Sequence, residues 1–595
     1  MNVLRLAAIV SCFLLQHGLM WLHADDSVKY IGSDQCISCH ENQHASFLQT
    51  LHSKTARFTD VTLEPDAGEF KHQASGHRYR VEIADGQMFH SELRLSDQGE
   101  PLGTTKMQMS VTLGSGTHSM SYLGRVGDFH IESPITYFSD HRSWGISPGY
   151  DVADHQSFRR EVTVNCVFCH VGSIKQAKHD QYKFEIVEAT IGCERCHGPG
   201  ELHAKHHREN ATTSDTTGYD ETIVNPRALN RELSEAICQQ CHCQGIFELE
   251  TVGKNSWDFR PGLRLTDFRV DYQLQTTGGS NSLVGHVEQL HRSRCYTQTE
   301  TLTCITCHDP HDPPTSDNKV EYHRKKCYQC HGDDACGEPH PQRIATNEND
   351  CTDCHMPRRD TDVAHFALSN HQIGIYPRTN LKLAAVPDPS TNKVAPILDI
   401  SHLSAVERQR LAALSKYELY RRRGGDPKFA ELMLNATESL IQIKQQGNAD
   451  ADVDAALIWL AREQGAIPIA EDLAKTVLTT ETDTDARIVA AHSLARIYLD
   501  RGESRKAIPL YQMLQQLHVD ASDSYFLGLA QQNDGNSEKA IEALLQSLEI
   551  DPSQVAARRA LEAIYESLGR MAEADAQRTT AERLERLKSK NFETP

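Results

Sequence analysis

The sequence predicts a mainly α-helical protein with two unlike halves. Two observations lead to this fold class. A five-residue Cys-x-x-Cys-His motif occurs seven times between residues 36 and 355. Beyond residue 403 there is no cysteine, and small and apolar residues recur with a period near 34. The 595 residues are too many for one core. We therefore expect a motif-rich domain with little regular structure and a small β insertion, followed by an α-solenoid.

The seven motifs are the strongest chemical signal in the chain. C-x-x-C-H is the covalent attachment signature of c-type haem. The two thiols bond to the porphyrin, and the adjacent histidine supplies the proximal iron ligand. The sequence thus predicts seven covalent haems. The attachment cysteines are Cys36, Cys39, Cys166, Cys169, Cys193, Cys196, Cys238, Cys241, Cys304, Cys307, Cys327, Cys330, Cys351 and Cys354, and the proximal ligands are His40, His170, His197, His242, His308, His331 and His355.

Other functions of paired cysteines fit less well. A single C-x-x-C is compatible with a zinc half-site or a redox dithiol. Zinc sites do not require histidine directly after every second cysteine, and dithiol motifs do not recur seven times in one chain. The formal charge of −20 argues against a nucleic-acid partner.

Residues 1–24 have the features of an export signal. Arg5 precedes an apolar stretch from Leu6 to Leu22, and a small-residue cleavage site ends at Ala24. The alternative is that the stretch stays uncleaved as a membrane anchor. We expect an exported, periplasmic protein without a membrane span once the signal is removed.

The predicted haem domain covers residues 25–385. Alternating residues and turn dipeptides predict a small β insertion at about 70–115. Glycine-rich stretches follow near residues 114 and 148, and we interpret them as places where the backbone approaches a haem. The motifs from Cys166 onward are 23 to 66 residues apart, too short for each to build a core, so neighbouring haems should lie close together.

Seven histidines are the leading candidates for the second axial iron ligand, because each lies in a segment that borders a motif. His311 is left out of this set. It follows His308 by three residues and cannot readily reach the opposite face of the same haem, so it would have to serve a different one. The candidates are His52, His118, His155, His203, His286, His365 and His371.

Three motif contexts resemble a known family. They are Cys193-Glu-Arg-Cys196-His197-Gly-Pro-Gly with His203 after it, Cys304-Ile-Thr-Cys307-His308-Asp-Pro-His311, and Cys351-Thr-Asp-Cys354-His355-Met-Pro. These resemble the group of nitrifier tetrahaem cytochromes, pentahaem nitrite reductases and octahaem hydroxylamine oxidoreductases, over roughly residues 30–375. The resemblance implies closely paired haems with mostly bis-histidine iron. The nitrite reductases carry a C-x-x-C-K haem site, which this chain lacks.

Three cysteines lie outside the motifs and the leader. At most one disulfide is expected among Cys243, Cys295 and Cys336, and Cys295 with Cys336 is the favoured pair because both flank haem motifs. The alternative is three buried thiols.

Residues 386–403 are rich in proline and polar residues, and we interpret them as a linker or a wrap over the first domain. Residues 404–595 then show the tetratricopeptide pattern, in which glycine ends a first helix and alanine follows five residues later. Gly502, Gly535 and Gly569 follow one another at steps of 33 and 34 residues, and a weaker copy has Gly465. Such solenoids usually bind a peptide or a protein.

Two functions compete at this stage. The first is electron transfer through the haems to redox protein partners, with the repeats docking a protein. The second is a multihaem oxidoreductase that acts on a small nitrogen or sulfur oxyanion at one open haem. The segment Tyr122–Tyr150 would then line the site with Arg125, His130, Tyr137, His141 and Arg142. A weaker third hypothesis is a repeat scaffold with sensory haems.

Overall fold

A computed structural model describes residues 28–95, 101–177, 179–209, 220–275, 285–358, 369–376, 393–424, 426–480 and 483–591. The predicted export signal and His365 lie outside these residues. About half of the described residues are helical. Among the described residues, no helix is both long and apolar enough to cross a membrane.

The N-terminal half contains a large antiparallel sheet. Its central order is β2-β3-β4-β5-β6-β8-β9, with β1 paired to β5 and β7 paired to β6. The expectation of little regular structure was therefore wrong, and the β region expected at about 70–115 is larger, with strands from Ala56 to Ile146. The strands are β1 Ala56–Phe58, β2 Gly68–Lys71, β3 Arg78–Ala84, β4 Gln87–Leu95, β5 Pro101–Leu113, β6 Ser119–Val126, β7 Phe129–Glu132, β8 Ile135–Phe138 and β9 Ser143–Ile146.

The glycines near residue 114 explain part of this error. Gly114 and Gly116 have φ of 104° and 77° and lie in the turn between β5 and β6. A Cβ on Gly114 would come within 2.6 Å of the Ser119 carbonyl oxygen. These glycines close a hairpin, which needs positive φ and accounts for them without a haem.

Along the strands of this sheet, alternate side chains point to one face and are buried there. Tyr79, Val81, Tyr122 and Ile131 are almost fully buried and form one core with methionines of the neighbouring strands. This packing is the usual driving force for a half-buried sheet, because successive side chains point to opposite faces. The sheet therefore has a hydrophobic core of its own.

The motif-bearing segments form short helices around this sheet. Two small sheets accompany them, one of β10 Ser173–Gln176 with β11 Phe184–Glu188, and one in the order β12 Phe247–Glu250, β13 Arg269–Leu274, β14 Val394–Pro396. The helices are α1 Asp34–Ile37, α2 Glu41–Phe47, α3 Val164–Val167, α4 Glu194–His197, α5 Glu201–Glu209, α6 Arg231–His242, α7 His286–His291, α8 Arg294–Thr297, α9 Cys304–Cys307, α10 Lys319–Cys327, α11 His340–Asn347 and α12 Cys351–His355.

The C-terminal half is a stack of antiparallel helix pairs. The glycines at the turns within pairs, Gly465, Gly502, Gly535 and Gly569, all have positive φ. The alanines five residues later are fully buried where two helices touch. The prediction of C-terminal repeats is confirmed. The helices are α13 Ala405–Arg422, α14 Ala430–Gln445, α15 Ala451–Glu463, α16 Ile467–Leu478, α17 Thr484–Asp500, α18 Ser504–Leu517, α19 Ala521–Asn533, α20 Ser537–Ile550, α21 Val555–Ser567 and α22 Met571–Asn591.

The turns between successive pairs face the N-terminal half. We call this surface the docking edge and define it by Asp450, Asp483, Asp520 and Asp551. Asp551 pairs with Arg159 at 2.8 Å, and Asp483 pairs with His179 at 2.9 Å. A shared core near β12 and β13 adds apolar contact with the first helix pair. The two halves are thus joined by polar and apolar contacts along the solenoid.

Gly528 offers a direct test of the helix packing. A Cβ there would lie 2.6 Å from Cγ of Leu544 in the partner helix. We expect Gly528→Val to lower the free energy of unfolding by about 1–3 kcal/mol, because a tightly packed contact would be overfilled. Urea unfolding followed by circular dichroism measures this. Glu542→Val, at an exposed position of the same helix pair, should change stability by less than about 0.5 kcal/mol. Equal effects of the two substitutions would contradict the packing.

Candidate functional site

The motifs adopt a common local geometry. In four of them the backbone N–H of the histidine donates to the carbonyl of the first cysteine, four residues earlier, at 3.0–3.1 Å. Positions i, i+3 and i+4 of such a helical turn lie on one face. The two thiols and the imidazole therefore share one side of the turn, as attachment to a single macrocycle requires. These four histidines are His40, His197, His308 and His331.

Several imidazoles are held by their Nδ1 atoms. Nδ1 of His197 lies 2.8 Å from the Val224 carbonyl oxygen, and Nδ1 of His355 lies 2.7 Å from that of Gly374. A carbonyl oxygen only accepts, so Nδ1 carries the proton and Nε2 keeps its lone pair. A carbonyl or carboxylate bonded to the other ring nitrogen is the usual support of a metal-ligating histidine.

The same support is found on two histidines outside the motifs. Nδ1 of His203 lies 2.6 Å from Asp220, and Nδ1 of His371 lies 2.9 Å from the Ser369 carbonyl oxygen. Both were predicted as second axial ligands. Their orientation leaves Nε2 free to bind a metal.

Four motif histidines face a second histidine. The ring centres of His40 and His203 are 6.1 Å apart, and those of His197 and His311 are 5.9 Å apart. Two imidazoles on opposite sides of one metal ion have centres about 6 Å apart, since each metal–nitrogen bond is about 2 Å and each nitrogen is about 1 Å from its ring centre. The donor pairs therefore fit axial ligation of iron.

The other two motif histidines each have two such neighbours. His242 lies 6.2 Å from His52 and 5.6 Å from His286. His308 lies 6.3 Å from His371 and 5.8 Å from His323. His286 and His371 are themselves only 4.5 Å apart, so these residues form one continuous histidine cluster.

Burial keeps this cluster neutral. It lowers the pKa of His242 and His308 to about 4 each, and that of His286 to about 3. It also lowers the pKa of His52 and His371. A neutral imidazole is the form that binds a metal. At neutral pH these histidines therefore do not have to lose a proton before they bind one.

Thiol contacts bring different motifs together. The thiol of Cys36 contacts that of Cys193, linking the first motif to the third. The pair Cys169 and Cys241 links the second to the fourth. Two more pairs of thiols connect different motifs. Cys238 contacts Cys304 and links the fourth motif to the fifth, and Cys327 contacts Cys351 and links the sixth to the seventh. Cys196 of the third motif also lies near Cys241 of the fourth, and Cys307 of the fifth lies near Cys330 of the sixth, so the seven motifs form a contiguous array.

Two predicted ligands lie within the sheet domain. His118 is exposed and its Nδ1 lies 3.4 Å from Asp140. His155 is buried, and its Nε2 lies 2.7 Å from the Tyr79 hydroxyl. Its ring also contacts His72 and His77. Both residues have local partners that account for their positions.

His311 and His323 were missed as leading candidates. His311 faces the third motif, which agrees with the expectation that it would serve a haem other than that of His308. His323 lies on α10, four residues before Cys327, and no sequence signal distinguished it from a surface histidine. Both histidines come close to motif histidines only because the tertiary fold brings segments that are distant in sequence together.

The segment proposed for an oxyanion site is part of the sheet. The Tyr122 hydroxyl donates to Glu64, Tyr137 packs on Trp144, and His130 packs on Phe184. These contacts give the aromatic and imidazole groups structural roles in the core of the sheet domain. They do not favour the oxidoreductase hypothesis.

The expected disulfide between Cys295 and Cys336 is not formed. Cys243, Cys295 and Cys336 are free thiols. Cys295 lies on α8, whereas Cys336 follows a turn after the sixth motif. Cys243 is buried, and burial raises the pKa of its thiol, so it stays protonated.

Comparisons with known proteins bear on the C-terminal half. The tetratricopeptide repeat family matches residues 490–523 and 524–554. No curated protein matches the chain. Similar solved structures include MamA, 21% identical over 32% of this chain and 98% of that chain with a TM-score of 0.25. MamA residues 41 to the end from Desulfovibrio magneticus RS-1 is 21% identical over 29% of this chain and 96% of that chain, with a TM-score of 0.25. The C-terminal half carries tetratricopeptide repeats, a class that docks other proteins.

Proposed function

We propose that this protein is an exported heptahaem c-type cytochrome that carries electrons and docks a protein through its repeats. The observation that carries the proposal is the array itself. Motif thiols and histidines share one side of a helical turn, and four of the motif histidines face a second imidazole at 5.6–6.3 Å. Bound haem supplies one-electron redox chemistry at iron.

The chain's own residues define a path. The thiol contacts order the motifs as first, third, fourth and fifth, with the second joined at the fourth. Cys307 of the fifth motif lies near Cys327 and Cys330 of the sixth, which continues to the seventh. The path is therefore linear with one branch.

Axial pairs suit electron transfer better than catalysis. At the four motifs where a second imidazole faces the motif histidine, no position on the iron is left for a substrate, so electrons pass there without bond making. The pairs we propose are His40 with His203, and His197 with His311. For His242 the partner is His52 or His286, and for His308 it is His371 or His323.

The solenoid offers a free surface for its partner. Its docking edge is occupied by the N-terminal half. The opposite edge, which we call the glycine edge, is formed by the turns at Gly465, Gly502, Gly535 and Gly569. A Cβ atom added to any of these four glycines would have no neighbouring atom within 4 Å. We assign protein docking to this edge and the neighbouring helix faces.

Haem content tests the proposal. We expect seven haems per chain by intact mass and by a pyridine haemochrome assay, and six after Cys166→Ala with Cys169→Ala, because one attachment site is lost. The matched control is Cys295→Ala with Cys336→Ala, two cysteines outside the motifs, which should retain seven. A wild-type chain without covalent haem would overturn the proposal.

A further inference from the structure

Two histidines and an aspartate meet at the docking edge. His518 ends α18, Asp523 lies in the first turn of α19, and His492 lies in α17. Asp523 is fully buried, His518 is nearly so, and His492 is half-buried. One donor atom from each residue lies within 4.8 Å of the other two. We call these residues the His-His-Asp cluster.

The contacts in the cluster are short without being hydrogen bonds. Nε2 of His518 lies 2.8 Å from Oδ2 of Asp523, and Nδ1 of His492 lies 3.3 Å from Oδ1. Within the described part of the chain, both Asp523 oxygens and Nε2 of His518 are buried with no aligned hydrogen-bond partner. Asp523 thus has an ion-pair contact with His518 but no aligned hydrogen bond, so its buried oxygens can still take a further partner.

A divalent metal ion supplies that partner. Imidazole nitrogen and carboxylate oxygen are the ligands of zinc and related first-row ions, at about 2.0–2.2 Å. Two ligands of one tetrahedral ion are then about 3.3 Å apart. The His492 separation matches this value and the His518 separation is about 0.5 Å shorter, and three protein ligands suffice with water as the fourth.

A carboxylate faces the other nitrogen of His518 beyond hydrogen-bond distance. Nδ1 lies 3.7 Å from Oε2 of Glu161, on the side away from Asp523. Glu161 belongs to the N-terminal half, and its other oxygen accepts from the Val519 N–H at 2.5 Å. The negative charge of Glu161 facing Nδ1 favours the tautomer with the proton on Nδ1, which leaves Nε2 for a metal.

We propose that His492, His518 and Asp523 bind one divalent first-row metal ion, with Glu161 orienting His518. The ion is distinct from any haem iron. It sits where the repeat domain meets the N-terminal half, so it fastens the turn between α18 and α19 against Glu161.

Zinc is the probe for this site. Full-length protein, stripped with a chelator, is dialysed against zinc and its metal content is measured by mass spectrometry. We expect the wild type to hold one zinc more per chain than Asp523→Asn or His492→Gln. Glu161→Gln should keep the ligands and weaken zinc binding about 10–100-fold. Because only differences between variants are used, the result does not depend on haem content.

The control is an ordinary pair of the same residue types. Nε2 of His402 lies 2.9 Å from Asp267 with hydrogen-bond geometry, and His402→Gln should leave the zinc content unchanged. Equal zinc in the wild type and Asp523→Asn would show instead a plain ion pair, with His518 protonated between two carboxylates, and would overturn the proposal. If Asp523→Asn fails to fold, His492→Gln decides, since that residue is half-exposed.

Discussion

The His311→Ala variant should bind one equivalent more carbon monoxide per chain than the wild type. The reduced proteins are compared by optical titration. His311 faces His197 at 5.9 Å with nearly parallel rings, and His197 is held by the Val224 carbonyl. Loss of this imidazole opens one axial position, turns one iron high-spin and raises its reduction potential, because a donor ligand is removed.

His118→Ala is the matched control for this experiment. His118 was also predicted as an axial ligand, but it lies on the surface of the sheet domain beside Asp140. Its removal should change neither carbon monoxide binding nor the electron paramagnetic resonance spectrum. If His118→Ala opens a site and His311→Ala does not, our ligand assignment fails.

Arg410→Met should destabilise the protein by about 3–5 kcal/mol, because removal of the buried guanidinium leaves the largely buried carboxylates of Glu407 and Asp450 uncompensated. The Arg410 side chain is 3% exposed, and its guanidinium contacts Asp450 at 2.7 Å and Asp452 at 2.6 Å. It also donates to the Glu250 carbonyl oxygen at 3.0 Å, across the junction of the two halves. Urea unfolding followed by circular dichroism measures the change.

Arg505→Met gives the exposed counterpart. Arg505 also pairs with an aspartate, Asp534 at 2.6 Å, but its side chain is 86% exposed. We expect a loss below about 1 kcal/mol, as for other surface ion pairs. Similar losses for the two variants would mean that the Arg410 cluster is not a buried network.

The sequence predicted the features that depend on local spacing. The repeat glycines and alanines recur every 33 or 34 residues because each helix pair repeats the same contact, and the structure has these helix pairs. Clustering of the motifs also followed from their short intervals. In both cases the determining residues are near one another in the chain.

Features that depend on distant segments were not predicted. The strand Ser119–Val126 alternates polar and apolar residues only over its first four positions and then contains glycine, so the periodic signal was too short to predict its pairing with β5. His311 reaches His197 only through the tertiary fold. His118 and His155 border motifs in the chain, yet the sheet holds both against other partners.

The contacts along the docking edge have a mechanical consequence for the predicted linker. Val394–Pro396 is a strand paired to β13, and the turns of the solenoid are fixed to Arg159, His179 and Glu161. The repeat domain is therefore not a tethered module whose effective concentration varies with linker length. A protein bound at the glycine edge would therefore have a fixed orientation and distance relative to the motif array. Lengthening residues 386–392 should then leave the rate of electron exchange between that protein and the array unchanged.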